Sequence, residues 1–223
     1  MAVGAVALLL TGCGAAIAGP LVSPLAGPLP PEQLAAALRQ GTPDGNRLFR
    51  FRWLFRDETS SAGGRGSVRV AAPDSLRFDV VGPLGSGASA AVVVADAPVW
   101  VEPKDAIEKI VPSYPLMWAM IGVARPPAAG ADVRGSSGES GTAWRVVADG
   151  DTTEYLREPT RLVVEVRRAG KVIGRATTTL GPEGQPVRAR LVVPSRPAQL
   201  DVTFTALSSP ASFEAGIWQP RAP

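Results

Sequence analysis

No histidine occurs anywhere in the 223 residues, and Cys13 is the only cysteine. Without histidine, neither a Ser-His-Asp triad nor a histidine-ligated metal site can be assembled. With one thiol no internal disulfide can form, so the folded body must be held by burial alone. Long apolar runs are scarce as well. The stretch Ala2 to Leu10 is too short to span a bilayer, which takes about 20 apolar residues, and no second long run follows. Net charge is modest: a formal +3 and a pI near 9.5 make the chain mildly basic. Its arginines are spread along the sequence, which speaks against a nucleic-acid patch and for weak attraction to anionic lipid headgroups. Carboxylates give little footing for chemistry. Glu102, Asp105 and Glu108 fit the solvated face of a short helix, and Asp149 and Asp151 flank a glycine in a hairpin turn too short for a calcium loop. Gly82, Gly85 and Gly87 lack the Gly-Lys-Ser/Thr ending of a phosphate-binding loop. The chain therefore reads as a non-enzyme, with no catalytic residue, no metal and no cofactor.

What is present begins with the apolar run leading into Leu10-Thr11-Gly12-Cys13. A short apolar core followed by small residues suits a signal peptide, and the four-residue ending resembles the lipobox of bacterial lipoproteins. No Lys or Arg precedes the run. The resemblance implies cleavage before Cys13 and acylation of its sulfur, and several acyl chains hold a protein on a membrane almost permanently. Residues 1–12 are read as signal peptide and 13–31 as the lipidated cysteine with a Pro/Ala/Gly-rich leash. Residues 32–223 are read as one domain. Pro31 to Arg39 predicts a short helix, with proline in its first turn and Leu34 and Leu38 one turn apart.

Period-two alternation declares the fold class. In Arg47 to Arg56, Phe49, Phe51, Trp53 and Phe55 share one parity, while Arg50, Arg52 and Arg56 share the other. The pattern is a strand with an aromatic face inward and an arginine-rich face toward water. It recurs with Leu76, Phe78 and Val80 against Arg77 and Asp79, with Leu162, Val164 and Val166 against Glu165, and in two runs near the C-terminus. One dry face and one wet face imply an antiparallel sheet. Turn clusters bound roughly eleven strands at hairpin spacing, which points to a mainly β protein whose sheet curls into a barrel or sandwich. Two interruptions stand out. Lys104 to Val111 reads as a helical turn or two, and Leu116 to Val123, with Met117, Trp118, Met120 and Ile121, reads as an almost wholly apolar helix. Such a helix must be buried on most sides, which makes it a lid over the concave face of the sheet. Its methionines suit an adaptable lining, although the same residue types also fit ordinary core. A glycine-rich loop from Ala128 to Gly141 follows.

Ser75-Leu76-Arg77-Phe78-Asp79-Val80-Val81, then Gly82-Pro83-Leu84-Gly85-Ser86, then two strands and two helices ending in Gly122 to Pro127, resemble the LolA/LolB-like superfamily, and within it most closely the LolB outer-membrane lipoproteins. The resemblance implies an unclosed antiparallel half-barrel lidded by short helices over a hydrophobic cavity for acyl chains. It also implies that Leu84, between Pro83 and Gly85, protrudes and promotes transfer into the membrane. An exposed turn-tip leucine near a bilayer could gain up to ~2 kcal/mol by entering it, whereas a solitary surface leucine needs no explanation.

On this reading the chain is a membrane-anchored, monomeric acceptor of lipoproteins or other acyl-chain ligands, supplied by a LolA-like periplasmic carrier and facing the periplasm from the outer membrane. Phe49, Phe51, Trp53, Phe55 and Phe78 with Met117, Trp118, Met120 and Ile121 are the expected cavity and lid residues. The alternative is a non-catalytic envelope scaffold or signalling lipoprotein that uses the same fold without transport. Neither reading involves nucleic acid.

Overall fold

The computed structural model describes residues 19–82, 87–95, 97–103, 107 and 110–219. Cys13 and the Pro83, Leu84 and Gly85 tip lie outside the described residues. So do Asp105, Glu108 and most of the expected helical turn before Val111, although the Val111 amide donates to the Ile107 carbonyl at 2.7 Å, a helical spacing.

The fold is mainly β. Twelve antiparallel strands form one curled, unclosed sheet in the order β5-β4-β3-β2-β1-β12-β11-β10-β9-β8-β7-β6. They are β1 Arg47–Arg56, β2 Ser61–Ala71, β3 Ser75–Val81, β4 Ala88–Val94, β5 Ala97–Glu102, β6 Val133–Gly138, β7 Gly141–Ala148, β8 Asp151–Glu158, β9 Arg161–Arg168, β10 Lys171–Leu180, β11 Pro186–Val193 and β12 Ala198–Ser208. Two meanders, β1 to β5 and β6 to β12, join through the β1–β12 pair. Helix α1 spans Pro31–Arg39, and α2 spans Tyr114–Ala119 between the meanders.

The count of roughly eleven strands falls one short because β6 lies inside the glycine-rich loop. Its sequence, VRGSSG, carries no apolar alternation. An edge strand can be held by backbone pairing alone: β6 pairs with β7, while its other edge meets the chain around Pro28. Gly135 sits where an added Cβ would lie 2.2 Å from the Ala143 carbonyl oxygen, so a side chain is excluded there.

The aromatic face of β1 points into the core as expected, with Phe49 and Phe51 buried and Arg50, Arg52 and Arg56 exposed. Phe51 meets Phe78 and Phe204 edge-on, with ring centres 5.8 and 6.0 Å apart. The wet face is not wet everywhere. Arg77, Asp79, Glu154 and Glu165 alternate as surface residues should, yet all are buried. Chain segments cross the outer face above them. At one side the C-terminal residues place the Gln219 carbonyl 3.1 Å from an Arg77 Nη, and the Trp218 carbonyl 2.9 Å from Trp100 Nε1. At the other side the N-terminal residues do the same: the Leu21 amide donates to Glu154 at 2.8 Å, and Arg175 donates to the Gly19 carbonyl at 3.4 Å. Residues 19–31 are therefore no free leash. Val22 and Leu29 are buried, and the Leu29 amide donates to the Val133 carbonyl. Composition suggested a linker, but two well-placed apolar residues and backbone bonds to an open sheet edge are enough to dock it.

Candidate functional site: a lidded apolar cavity

The lid segment sits in the concavity. Pro115 stands in the first turn of α2, where its missing N–H costs nothing. Every residue from Leu116 to Ala124 is buried, as a helix apolar on all sides demands. The segment packs against β9 and β10. Thr178 donates to the Ala119 carbonyl at 2.7 Å, and Arg157 donates to the Gly122 carbonyl at 2.7 Å. Gly122 has φ of +80° and closes the helix, a conformation a side chain would strain.

Beneath the lid, toward the β1–β2 turn, lies a cavity of about 330 Å³. Phe51, Trp53 and Phe78 form its sheet side, and Met117 and Met120 form its lid side. Leu200, Val202, Ile107, Ile110 and Val111 complete an almost wholly apolar wall. Its volume falls at the lower end of the range for small-molecule pockets, which are mostly apolar clefts. Gly82 and Gly87, the two ends of the loop carrying Pro83, Leu84 and Gly85, also border it, and the Gly82 amide donates to the Gly87 carbonyl at 3.0 Å. The base of that loop is thus a rim of the cavity.

Of nine expected cavity and lid residues, Phe51, Trp53, Phe78, Met117 and Met120 line this space. The other four do different work. Trp118 is fully buried, its indole N–H donates to the Ala95 carbonyl at 2.7 Å, and the Arg125 guanidinium lies 4.8 Å over its ring. It fastens the lid to the β4–β5 hairpin. Phe55 packs on the rim of the core without lining the cavity. Phe49 and Ile121 face a second groove of about 1030 Å³ at the opposite end of the concavity, shared with α1 and with Arg157. Alternation places the five aromatic residues on the inner side and the apolar run places the four lid residues there, but neither says anything about position along the barrel axis.

Arg157 is a residue the sequence pattern did not single out. It sits on the inner face opposite Leu162, 2 % exposed, with Nε and Nη1 lacking partners among the described residues. Burial without a carboxylate pushes its guanidinium down to about 10, still protonated at neutral pH. No group of three or more metal-ligating side chains occurs among the described residues.

No protein-family model matches the chain, and no curated protein matches it in sequence. Solved structures do match in shape. A LolA superfamily protein from Nitrosomonas europaea superposes with a TM-score of 0.52 at 9% identity, covering 83% of this chain and 97% of that one. A domain named for outer-membrane lipoprotein sorting, from Vibrio parahaemolyticus, gives 0.53 at 9% identity, covering 84% and 94%. At such identity the likeness is one of fold, and it does not single out the LolB branch. Twelve strands, an unclosed sheet and a buried helical lid give this chain the fold of the LolA superfamily.

Proposed function

We propose that the protein is a lipid-anchored envelope protein that binds acyl chains under its lid and releases them to a membrane, acting by binding and not by catalysis. The observation that carries this reading is the cavity of about 330 Å³, walled by aromatic, aliphatic and methionine side chains. Each CH₂ moved from water into such a wall gains about 0.8 kcal/mol, while a polar substrate would find almost no partner there beyond Ser89. Met117 and Met120 let the wall fit chains of different shape, since an unbranched thioether repacks at low cost. Transfer needs no nucleotide: the cavity has only to hold the chain more tightly than a donor does and less tightly than the bilayer. The name of the Vibrio parahaemolyticus neighbour, which refers to lipoprotein sorting, agrees with this class of ligand. The Leu10-Thr11-Gly12-Cys13 sequence supports acylation at Cys13, and Gly14 in place of aspartate supports an outer-membrane position facing the periplasm, with a LolA-like carrier as donor.

Native mass spectrometry of protein extracted from membranes, followed by titration with a fluorescent long-chain fatty acid, tests the proposal. Wild type should carry lipid or acylated peptide and bind the probe, and Ser89→Trp, which puts a ring into the cavity wall, should lose the probe while melting normally. A protein that is always empty and never takes the probe would leave a scaffold and overturn the acceptor.

A further inference from the structure

The arginines dispersed in sequence are gathered by the fold. Register aligns Arg65 on β2, Arg52 on β1, Thr203 on β12 and Arg188 on β11 in one row across the outer face, with Arg50 one step along β1. Arg50, Arg52, Arg65 and Arg188 are all exposed. None has a carboxylate partner among the described residues. Arg52 and Arg65 even stand directly opposite one another, an arrangement that opposes folding. In the next row Arg190 stands opposite Asp201, whose carboxylate it shares with Arg56 from the row beyond, at 2.7 and 3.1 Å. Besides Arg69, which pairs with Asp79 of β3, six arginines and one aspartate therefore occupy the outer face of β2, β1, β12 and β11.

Two further observations say what this face meets. The N-terminal segment leaves the domain on the same outer face: Gly19 is held by Arg175 of β10, the strand beside β11. Cys13 lies six residues before Gly19, a reach of roughly 20 Å at most. At the other margin, Arg65 pairs across from Val81, which leads directly into the loop of Leu84. We infer that this convex face docks on anionic lipid headgroups, laying the back of the half-barrel on the membrane that holds the anchor. The inference rests on the anchored reading above, but the charge pattern can be tested apart from it.

The test uses the full chain with Cys13→Ala, so that no acyl anchor contributes, and compares it with the same chain carrying R50Q, R52Q, R65Q and R188Q. Sedimentation is measured with vesicles of pure phosphatidylcholine and with vesicles of equal parts phosphatidylcholine and phosphatidylglycerol. Both proteins keep the same N-terminal segment, so its contribution cancels in the ratio. Each arginine near an anionic surface strengthens binding about fivefold. The parent should prefer the anionic vesicles, the quadruple variant should lose roughly a hundredfold or more of that affinity, and 1 M salt should erase the difference, since screening then acts within about 3 Å. A control with K171Q and R196Q, away from the row, should lose far less. Equal binding to both vesicle types, or a quadruple variant that binds like its parent, overturns the inference. So does arginine-dependent binding to poly-glutamate without binding to anionic vesicles, which would assign the face to an acidic protein. Failure of the anchor reading shows separately, as wild-type protein extracted from membranes with the mass of an unacylated chain.

Discussion

Trp118→Phe separates the part of the lid that fastens from the part that binds. The indole is fully buried, so the substitution removes an N–H bonded to the Ala95 carbonyl at 2.7 Å and one of two fused rings beneath the Arg125 guanidinium at 4.8 Å. A lost hydrogen bond costs about 1 kcal/mol net, a weakened cation–π contact about 0.5–1 kcal/mol, and the small void left by the smaller ring about 1 kcal/mol more. The sum is about 3 kcal/mol. For a domain of this size that lowers Tm by roughly 6–12 °C. Urea unfolding followed by circular dichroism gives the stability, and titration with the fluorescent fatty acid gives the affinity. Because Trp118 does not line the apolar cavity, affinity should stay within about twofold of wild type wherever the variant is folded. A stability loss under 1 kcal/mol would refute the anchoring contacts. A large affinity loss in a stable variant would refute the placement of Trp118 outside the cavity.

Glu165→Gln removes a fully buried carboxylate that pairs with Arg167 at 2.5 Å and with Arg175; it should cost about 3 kcal/mol in urea unfolding, since breaking a buried pair strands its partners. Because Arg175 also holds Gly19, the same variant should be cut faster by protease near residues 19–22. Arg157→Met should stabilise the protein at neutral pH. A guanidinium held down to about 10, well below its ordinary value, carries a burial cost of about 3 kcal/mol at every pH below about 10, against about 1.5–3 kcal/mol for its charged bond to the Gly122 carbonyl, so the balance falls on the side of the substitution; a Tm below wild type would contradict this. Cys13→Ser should leave the fold intact and abolish acylation, which intact-mass measurement of membrane extracts reads directly. Leu84→Glu should leave melting unchanged while lowering transfer of acylated cargo to liposomes, and either a large stability loss or normal transfer by a stable mutant would sink the membrane-tip idea.

Alternation made the inner face of the sheet legible, because a side chain's parity on a strand is fixed by the backbone. Phe51 and Phe78 were found this way, and the apolar run around Met117 marked the lid. Three things were hidden for identifiable reasons. β6 carries no apolar pattern, since its pairing is made by backbone. The docking of residues 19–31 depends on Val22 and Leu29 alone, too few to show a period. The burial of Arg77, Asp79, Glu154 and Glu165 depends on chain segments distant in sequence that cross above them. Parity assigns a residue to a face; it does not say whether that face is open.

The same distinction explains where charge is balanced on the outer surface. Under the two terminal segments, ionic groups are matched: Asp79 takes both Arg69 and Arg77, Glu154 takes Arg145, and Glu165 takes Arg167 and Arg175. A covered charge without a partner would cost several kcal/mol, so the fold supports only paired ones there. Over β2, β1, β12 and β11 the face is open, water solvates each guanidinium, and unmatched arginines cost little. Folding therefore tolerates that row without requiring it, and the face-to-face placement of Arg52 and Arg65 works slightly against stability. A row of like charge that contributes nothing to the fold, set between the exit of the N-terminal segment and the loop of Leu84, is what the inferred docking on an anionic surface would account for. On the two proposals together the sheet would be used on both sides: the concave face to exclude water from an acyl chain, and the convex face to meet the charged surface to which that chain is delivered.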